Sequence, residues 1–96
     1  MFARVTTVEG DPDTLEAGVK LIQETVIPTA RELPGFQGGY WLADRDAGKM
    51  LGITLWASKD ELDASEETAN RLRTETTQEA GSTIGSVERF EVVAQA

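Results

Sequence analysis

The sequence contains neither cysteine nor histidine. Without cysteine there are no disulfides, no thiolate nucleophiles and no zinc–cysteine sites. Without histidine there is no imidazole general base, no Ser-His-Asp triad, and no histidine ligand for a metal or for haem. Basic side chains are scarce too, nine against seventeen acidic ones for a formal charge of -8. Such a field repels the phosphates of nucleic acid and anionic lipid. Nor does any stretch approach the roughly 18 apolar residues of a membrane-spanning helix. The opening run Met1-Phe-Ala-Arg-Val-Thr-Thr alternates instead of forming the apolar block of a secretory leader, so the expected location is cytoplasmic. Gly81-Ser-Thr-Ile-Gly85-Ser has neither the spacing nor the lysine of a phosphate loop, and no dinucleotide fingerprint occurs elsewhere. The expectation is a protein without haem, flavin, nicotinamide or metal, and without a nucleic-acid or membrane partner.

What remains is the composition of an ordinary globular chain, with 40% hydrophobic and 27% charged residues. A length of 96 residues fits one domain spanning 1–96, since two cores could not each outweigh the entropy of ordering their backbone. Phe2 to Glu9 alternates and is rich in β-branched residues, which predicts a first strand. Gly10 breaks it, Asp11 can cap a helix, and Pro12 stands where a missing N–H costs nothing. Leu15, Val19, Ile22, Val26 and Ala30 then form one apolar helical stripe, and Pro28 predicts a kink near 24–27. Strands are expected over 36–44 and 49–57, joined by the loop Asp44-Arg45-Asp46-Ala47-Gly48. Ser58 and Glu61 have the spacing of a capping box, which starts a second helix with a thinner stripe of Leu62, Ala69, Leu72 and Thr76. Gly81 and Gly85 should stop that helix, and 87–93 alternates as a last strand.

Strand-helix-strand thus occurs twice. Right-handed crossovers put both helices on one face of a four-stranded antiparallel sheet of order 4-1-3-2, an α+β ferredoxin-like βαββαβ arrangement. Leu51, Ile53 and Leu55 are the most apolar alternating set, so they are expected beneath the helices with Ala3, Val5, Phe90 and Val92. That choice sends Arg4, Thr6, Thr54, Trp56, Arg89 and Glu91 to the open face, with Tyr40 or Trp41 according to a register the sequence leaves open. An open face holding Trp56, Phe2, Met50, Val8 and Val87 calls for a covering sheet, and a second copy of the chain would supply it.

The run Pro34-Gly35-Phe36 after a helix, the glycine-bearing hairpin, and Leu55-Trp56-Ala57-Ser58-Lys59-Asp60-Glu61-Leu62 resemble the dimeric α+β barrel superfamily, and within it the antibiotic biosynthesis monooxygenase-like domains. The element order agrees along the whole chain. The resemblance implies a homodimer joined through its sheet faces, with Trp56 at the position of a tryptophan that borders a cavity in each subunit. It further implies oxidation of polycyclic phenols by molecular oxygen without a cofactor. The haem-degrading branch is set apart by an asparagine on the first strand and a histidine, whereas this chain has Thr6 and Thr7 there and no histidine at all. Its one asparagine, Asn70, falls on the second helix.

The candidate cavity residues are therefore Trp56, Thr54, Tyr40, Arg4, Thr6, Arg89 and Glu91, expected between two sheet faces. No acid–base pair stands out among them. Two readings stay open: a cofactor-independent monooxygenase-like protein acting on a small aromatic or polyketide-like compound, and a non-catalytic binding or accessory module. RNA-recognition domains share the element order, but their third strand carries several basic and aromatic residues where Lys49 to Trp56 offers one aromatic at its end.

Overall fold

A computed structural model describes residues 1–96. Strand β1 (Phe2–Glu9) leads into helix α1 (Pro12–Leu21), a π-helical turn (Ile22–Val26) and helix α2 (Ile27–Arg31). Strands β2 (Phe36–Asp44) and β3 (Lys49–Trp56) form a hairpin, then helices α3 (Lys59–Ala64) and α4 (Glu66–Ala80) precede strand β4 (Thr83–Glu91). The strands form one antiparallel sheet in the order β2-β3-β1-β4. This is the expected ferredoxin-like α+β topology. No helix is long and apolar enough to cross a membrane.

Local chemistry explains the boundaries. The Asp11 carboxylate accepts from the Thr14 N–H at 2.9 Å and opens α1 with Pro12 in its first turn. Pro28 has no N–H to offer the Glu24 carbonyl, and the chain answers with a wide turn in place of a break: the Ile27 N–H bonds back to the Ile22 carbonyl. Helix geometry then resumes through Arg31. Ser58 accepts from the Glu61 N–H at 3.2 Å, while its hydroxyl meets the Glu61 carboxylate at 3.0 Å, so the capping pair closes side chain to side chain. Gly81, at φ 80, ends α4 in the left-handed conformation. β4 starts four residues before the expected Val87, because Gly85 is absorbed as a bulge where the register shifts between Thr7 and Val8.

The sheet faces are the reverse of the expectation. Arg4 pairs with Thr54 and Arg89, and Phe2 with Trp56 and Glu91, so these residues do share one face. That face lies under the helices: Arg4 and Trp56 are 3% and 1% exposed, and Met50 is buried with them. Leu51, Ile53, Leu55 and Val5 pair with Leu42, Tyr40 and Glu88 on the other side, where Tyr40, Leu42 and Phe90 stand exposed. Alternation tells which residues share a face but not which way the face looks. Hydrophobicity alone misdirects the choice, because Arg4 needs acceptors and only the helix side provides them. Only 11 of the 96 residues are buried, since one whole side of the sheet has nothing packed on it.

Gly35 fixes the turn that delivers β2. It adopts φ +81, and a Cβ there would fall 2.3 Å from the Glu61 carboxylate carbon and 2.6 Å from the Glu61 Cβ. Gly35→Ala is expected to lower stability by about 1–3 kcal/mol, the usual range for a side chain held in the left-handed region. Urea titration measures it, and an unchanged midpoint would contradict this account of the turn.

Candidate functional site

The reversed sheet face and the helices border a cavity of about 120 Å3 that is partly open to solvent. Its floor is Arg4, Thr6 and Val8 of β1, Met50, Gly52, Thr54 and Trp56 of β3, and Trp41 of β2. Its roof is Ile22, Val26, Ala30 and Leu33 on one side and Ala69, Leu72, Arg73, Thr76 and Thr77 of α4 on the other. The π-helical turn contributes directly, since Ile22 and Val26 are its first and last residues. An apolar cavity of about 150 Å3 accepts a benzene molecule, so a larger ring system would extend through the open side of this one.

Two tryptophans shape the floor. The Trp56 ring meets Phe36 edge-on at 5.4 Å between centroids and 68° between planes, and its indole N–H donates to the Thr54 hydroxyl at 3.1 Å. The Arg4 guanidinium carbon sits 5.7 Å from the Trp56 ring centroid, within cation–π range. Trp41 lies across two glycines: a Cβ at Gly52 would be 3.1 Å from its Nε1, and one at Gly39 would be 3.2 Å from its ring. Glycine at both positions lets the indole lie close against the strands.

Charge gathers at one end of the cavity. Arg4 Nη2 donates to the Leu62 carbonyl at 3.1 Å, the Ser65 hydroxyl at 3.0 Å and the Glu66 carboxylate at 2.8 Å. Arg73 reaches Glu66 only at 3.8 Å, although its side chain is 8% exposed. Burial, with the neighbouring Arg4 charge in support and Glu66 in opposition, lowers the Arg73 pKa from its ordinary value. Arg89 pairs with Asp63 and approaches Glu66 at 4.0 Å. Of the acidic residues along this helical segment, Glu61, Asp63 and Glu66 are thus engaged by specific partners.

The structure brings Arg4, Thr6, Thr54 and Trp56 together in the cavity lining. Tyr40 is not among them: it projects from the outer face and is 66% exposed, because Trp41 takes the inward position opposite Gly52. Arg89 and Glu91 share the helix-side face but lie outside the cavity, as β4 is the edge strand beyond β1. The expected location between two sheet faces is likewise corrected to the space between sheet and helices. The sequence left Tyr40 and Trp41 open for this face, and the register settles it for Trp41; Arg73 was not among the candidates. A signal for Arg73 existed: it sits beside Leu72 and between Ala69 and Thr76, so a charge falls within the apolar stripe of α4.

Comparison with known proteins extends the picture. No protein-family profile matches the sequence. Two uncharacterized Mycobacterium tuberculosis proteins are related: Rv2558 is 29% identical over 73 residues, 76% of this chain and 31% of its own, and Rv2557 is 26% identical over 94 residues, 98% and 42%. The chain spans well under half the length of either relative. Among solved structures, the Streptomyces coelicolor monooxygenase ActVA-Orf6, in complex with nanaomycin D, superposes with a TM-score of 0.74 at 20% identity, covering 99% of this chain and 88% of that one. An antibiotic biosynthesis monooxygenase gives a TM-score of 0.68 at 20% identity, over 98% and 100% of the two chains. The chain shares the ferredoxin-like α+β fold of these proteins. The M. tuberculosis haem degrader MhuD, with two haems bound, shares this fold at a TM-score of 0.64 and 22% identity over 100% and 99% of the chains. Haem does not fit the residues present here: the chain has no histidine or cysteine, Tyr40 faces outward, and of its two methionines Met50 is packed in the floor and Met1 lies outside the cavity lining.

Proposed function

We propose that the chain binds a small, flat aromatic or polyketide-like compound between its sheet and helices, and acts on it as a cofactor-independent monooxygenase-like protein. The observation that carries this reading is the apolar cavity walled by Trp41 and Trp56. Such a site suits a ring system, which gains both apolar burial and stacking. The complex of ActVA-Orf6 with nanaomycin D supports a ligand of this kind. The active unit in this proposal is a homodimer joined through the outer sheet faces, whose exposed Tyr40, Leu42 and Phe90 are costly to leave in water.

A second reading has an observation of its own. The ionisable residues of the cavity lining are Arg4 and Arg73, and a guanidinium does not exchange protons near neutral pH. That favours a binding module, in which recognition proceeds without bond making. Oxygen uptake during turnover of polycyclic phenols separates the two readings.

Both readings require occupancy of the same space. Titration with such compounds is expected to quench tryptophan fluorescence saturably, because both tryptophans line the cavity. Gly52→Leu places a side chain on the cavity floor against Trp41 and is expected to weaken that binding at least about tenfold, as overpacking displaces either the ligand or the indole. Quenching that is absent in the wild type, or equal in Gly52→Leu, would remove the cavity from the explanation.

A further inference from the structure

The geometry points to an aromatic carboxylate as the ligand of this cavity, with its carboxylate held by Arg73 and its ring over the tryptophans of the floor. The inference rests on the cavity reading above and adds a charged group to the ligand. Arg73 Nε and Nη2 are both buried and bond to no acceptor in the chain, and Arg4 Nε is in the same condition. Nε and Nη2 are the two donors along one edge of the guanidinium. That edge presents parallel N–H groups at the spacing of two carboxylate oxygens, the fork-to-fork match that distinguishes arginine from a point charge.

Charge balance points the same way. Three guanidiniums, Arg4, Arg73 and Arg89, share two carboxylates, Asp63 and Glu66, at the cavity end. One positive charge is left over, in a chain whose total is -8. A buried charge without a close partner is costly, and the cost falls on Arg73, whose nearest carboxylate oxygen is at 3.8 Å. Glu66 grips Arg4 through Oε2 at 2.8 Å but reaches Arg73 only through Oε1 at 3.8 Å, beyond hydrogen-bond range. A monoanion entering over the tryptophans would supply the Arg73 edge with acceptors and cancel the excess. The remaining lining of the site is largely apolar, so the ligand has one anionic end and an apolar body.

The test uses a matched pair, 2-naphthoate and 2-naphthamide, which differ in charge but hardly in shape. Calorimetric titration of the wild type is expected to show naphthoate at least about tenfold tighter than the amide, the scale of a charge-assisted bidentate contact. In Arg73→Met the preference for naphthoate over the amide should vanish, with methionine preserving the apolar packing of the arginine stem. Arg73→Lys keeps the charge without the fork and should retain only part of the preference, which guards against a folding defect in the first variant. Equal binding of acid and amide to the wild type would overturn the carboxylate assignment and leave the cavity reading standing. So would a preference that survives in Arg73→Met, because Glu66 would then be the partner of that edge in solution. Binding of neither compound would overturn both.

Discussion

Trp56→Ala is expected to destabilise the protein by about 3–5 kcal/mol, the range for removing a buried aromatic side chain and leaving a hole behind it. Trp56 is 1% exposed and closes the end of β3. Its loss removes the edge contact with Phe36, the stacking surface beneath Arg4 and the N–H donated to Thr54. The surroundings cannot collapse into the gap, because it opens onto a cavity already bounded by two helices. A small domain has roughly 5–15 kcal/mol in total, so the variant should lie near its unfolding threshold. Urea denaturation followed by circular dichroism measures the change. Trp56→Phe should keep most of the ring packing and the fold, while altering the affinity for flat aromatic ligands. A Trp56→Ala midpoint equal to that of the wild type would mean the indole is a mobile flap and not a structural wall.

Much of this architecture was legible in the residues. Alternation in 2–9 and 49–56, the Asp11-Pro12 start, the Ser58–Glu61 cap and the order of elements define the four-stranded sheet with its helices. Pro28 announced a disturbance in the first helical segment, and it took the form of a π turn whose ends face the cavity. The side of each residue was harder to read. Period two puts Arg4, Thr54 and Trp56 together, but the direction of that face depends on where their polar atoms find partners. Those partners, the Leu62 carbonyl, Ser65 and Glu66, come from the junction of α3 and α4, 58 to 62 residues away in sequence. Arg73 was hidden for a related reason. In a helix dense with charged side chains, one arginine at an inward position looks like any other until the packing shows which side of the helix is covered.

Ile53→Glu is expected to convert a dimer to a monomer with little harm to the isolated subunit. The outer face carries Leu51, Ile53 and Leu55 on β3, Val5 on β1, and the exposed Tyr40, Leu42 and Phe90 on the flanking strands. Two copies packed face to face would bury this set against itself, and a two-fold interface repeats every residue on both sides. Ile53 lies on an inner strand between Val5 and Tyr40, so a carboxylate there would be carried into the middle of the interface twice. Two desolvated like charges cost several kcal/mol or more, and the chain's net charge of -8 already opposes association. In the subunit alone the same glutamate would remain hydrated, since nothing in the chain covers that face. Size exclusion with light scattering should therefore give twice 10.4 kDa for the wild type and 10.4 kDa for Ile53→Glu at micromolar concentration. Thr74→Glu, exposed on α4, adds the same charge away from that face and should remain dimeric. A monomeric wild type would leave the outer face without its proposed partner, and a dimeric Ile53→Glu would move the interface to another surface.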